Sequence, residues 1–372
     1  LPEDALSVMA AEAGKLNLIG LPATELEEFF CGLEERPYRA KQVLAWLYQR
    51  QARSFQQMTD ISLRLRTQLE TLATLTLPDV VGDRLSADGT RKWLIDVGRG
   101  QAVETVFIPE PRRTTLCISS QAGCAMDCSF CATGQQGFNR NLSAAEILGQ
   151  VLIAKAALGP DVALTNVVFM GMGEPLANYR NVIPVVRLLV DDRAFGLSRR
   201  RVTISTAGLV PQILKLSQDC NVALAVSLHA PDDALRDELV PINRRHPIGE
   251  LLDACWNYAE CLASRQITFE YAMLRGVNDS VGQAKSLARL LRNRPAKVNL
   301  IPFNPFPGTR YQSSPDDVID AFVGELWRAG IVATVRRTRG GDIAAACGQL
   351  AGQVDDRTRS RLGAKLARVS NQ

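Results

Sequence analysis

From about residue 114 to 335 the chain alternates short β-branched, apolar runs with longer segments whose apolar residues recur every three or four positions. The short runs predict strands and the longer segments amphipathic helices. Strands are expected at Thr114–Ser119, Thr165–Met170, Arg201–Ser205, Val222–His229, Ile267–Leu274 and Val298–Pro302. Helices are expected over Ser143–Ala157, near Asn178–Val190, after Pro211, and around Asp233–Leu239 and Gly249–Ala263. Two more are expected near Ser280–Arg292 and Asp317–Ala329. Six strand-then-helix units in series imply an α/β fold, a parallel sheet or partial (βα)6 barrel with helices outside. The units are too unlike one another for a solenoid.

The preceding residues follow other patterns. Pro22–Leu33 and Tyr38–Gln49 read as helices, the second with Val43, Leu44 and Leu47 at helical spacing, and a third is expected near Ser62–Leu72. Asp88-Gly89 is a turn signal between the expected strands Asp83–Ser86 and Lys92–Val97, and Val103–Ile108 reads as another strand. Four regions are therefore expected: a small N-terminal helical domain (1–80), a β extension (81–113), the partial barrel (114–338) and a C-terminal loop and helix (339–372).

Composition narrows the picture little. Hydrophobic residues make up 46% of 372, an ordinary globular share, and no apolar run reaches the ~18 residues of a membrane span. Glu3, Asp4 and Glu12 argue against a secretory signal, and the opening Leu1 leaves the native start open. A cytoplasmic protein without a membrane partner is expected. Net charge is +4, so a case for nucleic acid must rest on local arrangement. Nine cysteines, an odd number, point away from a disulfide framework and towards metal ligation or thiol chemistry.

Three cysteines cluster. Cys124, Cys128 and Cys131 follow the first strand of the series with the spacing Cys-x3-Cys-x2-Cys. Thiolates so close can hold soft metal ions or an iron–sulfur cluster. A structural zinc site would want a fourth ligand, and neither histidine is near. A zinc knuckle or a set of buried thiols is the plain alternative. A cubane on three thiolates leaves one iron open. The spacing, placed in an alternating βα chain, closely resembles the radical S-adenosylmethionine (SAM) superfamily. That resemblance implies one 4Fe–4S cluster on these cysteines, with SAM chelating the open iron.

Residues suited to SAM recur after later strands. Gly171-Met172-Gly173-Glu174-Pro175 follows the second, where Gly173 permits close backbone approach and Glu174 could accept bonds from an ammonium. Ser205 ends the third strand, Ser227-Leu228-His229 the fourth, and Asn304 follows the sixth. Each alone is more often an ordinary loop residue. On one barrel rim they would form a ribose and adenine pocket.

A closer resemblance spans nearly the whole chain. Cys117 to Asn141, Gly171 to Leu176, Ser227 to His229 and Gly340 to Gly348 resemble the RlmN branch of the RlmN/Cfr methyltransferases. Val103-Glu104-Thr105-Val106, Gln135 to Arg140 and Tyr38 to Gln42 match as well. The resemblance implies methylation of adenine C2 in 23S rRNA, and of the adenosine 3′ of the anticodon in some tRNAs, with two SAM per turnover. C2 is electron-poor and cannot attack a sulfonium methyl, whereas a thiolate can. By the resemblance, Cys347 takes a methyl from one SAM, and a radical made from the second removes hydrogen from it. The methyl-derived carbon then adds to C2, Glu104 accepts the C2 proton, and Cys117 attacks the Cys347 sulfur to release the RNA and leave a disulfide. It also implies a flavodoxin-type electron donor. Alone, Cys117 would read as a buried strand thiol and Glu104 as a solvent-facing carboxylate. Cys31, Cys220, Cys255 and Cys261 read as ordinary buried thiols.

Basic residues at Arg36, Arg39, Lys41, Arg50, Arg53, Arg64 and Arg66 form either a solvated helical face or an RNA contact. Arg112, Arg113, Arg140, Arg336, Arg337 and Arg339 could ring the barrel rim with positive charge. Two rivals stay open: C8 methylation of the same rRNA adenosine, as in Cfr, and a metal-cluster RNA-binding protein that is not an enzyme.

Overall fold

The structure, a computed structural model, describes residues 14–357. The chain divides into two compact units. The described part of the first comprises 14–78, 142–163 and 180–198. It holds the paired strands β1 (Leu16–Asn17) and β2 (Ala73–Thr74) and the helices Ala23–Gly32, Tyr38–Leu44 and Leu63–Leu72. Leu26, Phe30, Val43, Leu44 and Leu65 are fully or almost fully buried, the inward face that the apolar spacing called for. The helix expected to run to Gln49 changes hydrogen-bond register and ends as a π turn over Ala45–Gln49. Helix Ala144–Leu158 starts on a capping box, with Ser143 Oγ accepting from Glu146 N–H and Glu146 returning to the Ser143 amide.

The second unit, 79–141, 164–179 and 199 onward, is built on one ten-stranded sheet. In chain order its strands are β3 (Asp79–Leu85), β4 (Arg91–Asp96), β5 (Ala102–Glu110) and β6 (Arg113–Cys117). The hairpin β7 (Gln121–Gly123) and β8 (Phe138–Asn141) stands apart from that sheet. The sheet resumes with β9 (Asn166–Phe169), β10 (Val202–Thr206), β11 (Ala223–Ser227), β12 (Ile267–Met273), β13 (Ala296–Pro302) and β14 (Val332–Val335). Its spatial order is β14-β13-β12-β11-β10-β9-β6-β5-β4-β3. β3 to β6 pair antiparallel, and from β6 through β14 every pairing is parallel.

All six expected strands of the series are present, each followed by a helix. β14 was not anticipated, because it is four residues long and mostly exposed at a sheet edge. The antiparallel strands before the series belong to the same sheet, joined to it by the register Val106↔Cys117 to Glu110↔Arg113.

Parallel strands covered on both faces are usually apolar throughout. Here one face is apolar, with Val202, Ile204, Leu224, Val226, Phe269, Tyr271, Val298 and Leu300 all buried. The alternate positions Thr203, Ser205, Ala225, Ser227, Thr268, Glu270, Lys297 and Asn299 line cavities instead. The two-residue pleat thus directs a polar face into the lumen, as a sheet curved around a polar site requires. No helix among the described residues is long and apolar enough to cross a membrane.

Candidate active site

The cysteine loop is spanned by β7 and β8. Cys124 N–H donates to Gly137 O at 2.7 Å, closing the hairpin just where the loop departs. Gly123 permits this approach: it has φ +78°, and a Cβ there would lie 2.1 Å from Gly137 O. Asp127 takes a left-handed conformation at φ 54° and turns the loop so that Cys131 N–H reaches Cys128 O at 3.1 Å. Phe130 anchors the loop in an apolar cluster with Leu239, Val240, Leu274 and Phe303.

Cys124, Cys128 and Cys131 line one wall of a cavity of about 170 Å³. The other walls come from the C-terminal ends of β9 to β13 and from Arg336 after β14. Burial pushes all three thiols up, and the charges of neighbouring cysteines add to it. Three thiolates here need a cation to neutralise them, and a cluster supplies one. Among the described residues no group of three or more His, Cys, Asp or Glu is gathered for a single metal ion. Three thiols of one loop that face a shared cavity suit the separate irons of a cubane.

The expected SAM residues converge on this cavity. Gly173, Glu174, Ser205, Ser227, His229 and Asn304 all line it, while Leu228 is fully buried behind the wall. The glycines serve the neighbouring loop. A Cβ on Gly171 would meet Ile118 O at 2.7 Å, and one on Gly173 the Gln121 Cβ at 2.5 Å. Glu174 is 3% exposed, with Oε1 accepting from Leu176 N–H at 3.1 Å and Oε2 from Ala207 N–H at 2.7 Å. Burial raises its carboxyl to about 7, against those two hydrogen bonds. A cationic amine in the cavity would restore the carboxylate.

His229 sits at φ 59°, and its Nδ1 accepts from Ala272 N–H at 2.9 Å. Burial, helped by the Arg236 charge, lowers its pKa to about 3, so the ring is neutral and carries its proton on Nε2. Asn304 bridges two segments: its Nδ2 donates to Cys347 O at 3.2 Å and its Oδ1 accepts from Thr338 Oγ1 at 3.0 Å.

Cys347 lines the same cavity. Ala132 N–H donates to Gly348 O at 2.9 Å and Thr133 Oγ1 to Leu350 O at 2.5 Å, tying its segment to the cysteine loop's short helix. Cys117 ends β6, is 6% exposed and does not line the cavity. Burial and then the proximity of Cys347 push its thiol up to about 12. The two are free thiols here. Glu104 is not at solvent; it is 8% exposed, with Oε1 2.7 Å from Lys92 Nζ and Oε2 accepting from Ala351 N–H at 3.0 Å.

Of the four remaining cysteines, Cys255 is buried as expected, but Cys31 and Cys261 are exposed and Cys220 half-buried. These cysteines carry no spacing pattern, so only the general tendency of free thiols to be buried placed them in the core, and it does not say which side of a helix end a thiol occupies. Three functional neighbours escaped the sequence reading. Arg236, fully buried, donates to Ser227 O, Leu228 O, Ala207 O and Asn243 Oδ1. Glu270 lines the lumen with Oε2 accepting from Asn299 Nδ2 at 2.8 Å, and Lys92 pairs with Glu104. A charged residue at an inward strand position was the signal for Glu270. For Arg236, in an ordinary polar helix, there was none.

Comparison with known proteins bears on the whole chain. The family model "Ribosomal RNA large subunit methyltransferase N-terminal domain" matches residues 16–75, and "Radical SAM superfamily" matches 118–287. A "Dual-specificity RNA methyltransferase RlmN" from Alkalilimnicola ehrlichii is 57% identical over 345 residues, 92% of this chain and 96% of the relative. The crystal structure of a radical SAM methyltransferase from Sphaerobacter thermophilus is 46% identical, covers 90% of this chain and 99% of its own, and superposes with TM-score 0.85.

Proposed function

Because the chain belongs to the RlmN family of radical SAM RNA methyltransferases, we propose that it methylates C2 of an adenosine in 23S rRNA and of the adenosine 3′ of the anticodon in some tRNAs, through a methyl group carried on Cys347. The family is one of transferases that use a 4Fe–4S cluster and SAM. The observation that carries the reading is that Cys347, distant in sequence, opens onto the same cavity as the three-cysteine loop.

Cys124, Cys128 and Cys131, which face one cavity, would hold the cluster. When bound, the cluster and SAM supply the methyl group and the one-electron chemistry. Gly173 and Glu174 receive the amine, while Ser205, Ser227, His229 and Asn304 bound the ribose and adenine, with Leu228 packed behind them in the wall. The Cys347 sulfur accepts the methyl as a thiolate and carries it to C2. Glu104 takes the C2 proton, and Cys117 attacks the Cys347 sulfur to free the methylated RNA. Arg336 sits beside Cys347, whose charge raises the pKa of the guanidinium.

The N-terminal helical region, residues 1–80, contacts RNA in this reading, and Arg36, Lys41 and Arg64 are exposed for it. Residues 81–113 extend the barrel of 114–338, and 339–372 carry the methyl-accepting cysteine. The target base leaves its stack to reach the cavity. A flavodoxin-type reductase supplies electrons, and nine free cysteines suit a reducing cytoplasm.

The test is anaerobic reconstitution with iron and sulfide, then reduction with methyl-labelled SAM and protein-free 23S rRNA, and mass analysis of the nucleosides. 2-Methyladenosine, lost in Cys347→Ala and Cys124→Ala, is expected. 8-Methyladenosine would replace the C2 assignment with the Cfr-like one. A loaded cluster that never cleaves SAM would refute the mechanism.

A further inference from the structure

The Cys347 segment has little regular structure of its own. Gly340, Ala344 and Gly348 all take left-handed backbone angles, at φ 60°, 51° and 82°, and one short 3-10 turn, Gly341–Ile343, is its regular element. Side chains from neighbouring strands therefore decide where it lies. Two of them carry charge and are almost completely buried: Lys92 on β4, 7% exposed, and Glu104 on β5, 8% exposed. They sit diagonally across the hairpin, Lys92 opposite Val106 and Leu94 opposite Glu104, so both project from the same face.

The pair grips the segment at two points that flank Cys347. Lys92 Nζ donates to Ala344 O at 3.0 Å while contacting Glu104 Oε1 at 2.7 Å. Glu104 Oε2 accepts from Ala351 N–H at 3.0 Å. The further ties of 344–351 to the rest of the chain, from Asn304 to Cys347 O, Ala132 to Gly348 O, Thr133 to Leu350 O and Gln349 to Pro305 O, are between neutral groups, and the carboxylates that hold the start of the segment, Asp88 at Gly340 N–H and Asp342 at Ser86 and Ala87, are not buried. Hydrogen bonds to buried charges are the stronger kind.

The geometry points to Lys92 as a positioning residue: with Glu104 it forms a latch that holds the Cys347 segment against the cavity, and loss of the Glu104 negative charge opens that latch. A neutral carboxyl breaks the ion pair, weakens the acceptor for Ala351 N–H, and leaves Lys92 buried without a counter-charge. Cys117 is fixed in the β6 ladder, so any movement that brings the two sulfurs into bonding falls to the irregular Cys347 segment. The consequence rests on the reading of Glu104 as proton acceptor: arrival of the C2 proton is then the event that frees Cys347 for attack by Cys117.

The test is hydrogen exchange, followed by mass spectrometry, on the full-length, cluster-loaded enzyme with SAM. Glu104→Gln keeps shape and removes charge; Lys92→Met removes the partner; Lys92→Arg keeps the cation. Exchange of amides in 344–351 should rise about tenfold or more in the Gln and Met variants, the loss of one charged hydrogen bond, and return towards wild type in the Arg variant. The Cys124–Cys131 loop and its iron content should not change. Exchange in 344–351 that stays at the wild-type rate in Glu104→Gln would overturn the latch, whether or not methylation is lost. Faster exchange with full methylation would uphold the latch and remove Glu104 as the base.

Discussion

Arg236 offers the sharpest test of how the cavity wall proposed for SAM is held. Its guanidinium, fully buried, donates to Leu228 O at 3.1 Å, Ser227 O at 3.0 Å, Ala207 O at 2.7 Å and Asn243 Oδ1 at 2.7 Å. Arg236→Met keeps most of the stem volume and leaves Ser227 O, Ala207 O and Asn243 Oδ1 without this donor, while Leu228 O keeps Ala230 N–H. At about 1–3 kcal/mol for each of the three, the gross loss is roughly 3–9 kcal/mol. The substitution also removes a desolvated cation. Burial lowers its pKa to about 10, so its removal returns about 3 kcal/mol. With local rearrangement, a net destabilisation of about 3–5 kcal/mol is expected, the range for breaking a buried polar network from one side. Urea unfolding followed by tryptophan fluorescence reads this as a lower midpoint at unchanged slope. Arg236→Lys, a single point donor, should fall between. SAM affinity of the loaded enzyme should weaken as well, because Ser227, Leu228 and Ala207 share this one donor. A Met variant within about 1 kcal/mol of wild type, with normal SAM binding, would refute the argument.

Three further outcomes follow from the geometry. Gly173→Ala, with φ +97° and a Cβ 2.5 Å from Gln121, should cost SAM affinity about tenfold or more in equilibrium dialysis with iron content intact; unchanged affinity would mean the loop yields freely. Burial raises the Glu174 carboxyl from 4.5 to about 7. In cluster-free protein its contribution is therefore fully present below pH 4.5 and lost as pH rises through 7, about 3 kcal/mol in all. Glu174→Gln should flatten that part of the stability–pH curve, and a curve of the same slope would count against it. RNA binding should weaken steeply with salt, and Arg337→Ala with Arg339→Ala should reduce the log–log slope by about two; an unchanged slope would remove these arginines from the phosphate contacts. Both line a polar cavity of about 590 Å³ against the polar face of the parallel strands.

The readable part of the site was that encoded in short stretches. The spacing of Cys124, Cys128 and Cys131, the glycines around Met172 and the Ser227–His229 run all sit on strand ends. Once the βα rhythm is recognised, strand ends share a rim. Glu104 was legible as a residue and not as an environment. Its alternation in β5 suits a solvent-facing carboxylate, and what buries it is a segment nearly 250 positions later, through Ala351 N–H. Gly171 and Gly173 were readable as close-approach positions, but the backbone approaching them belongs to Ile118 and Gln121.

Periodicity and local chemistry, then, determined the α/β series, the cluster loop and the family, because both depend on residues within a few positions of one another. Tertiary structure alone decided the rest. It set which polar face of the parallel sheet becomes lumen, that Arg236 holds the Ala207, Ser227 and Leu228 carbonyls of the cavity wall from behind, and that Lys92 and Glu104 clasp the Cys347 segment. Each of these depends on groups far apart in the chain meeting where water is excluded. There a single unpaired charge or amide costs more than any local propensity could offset.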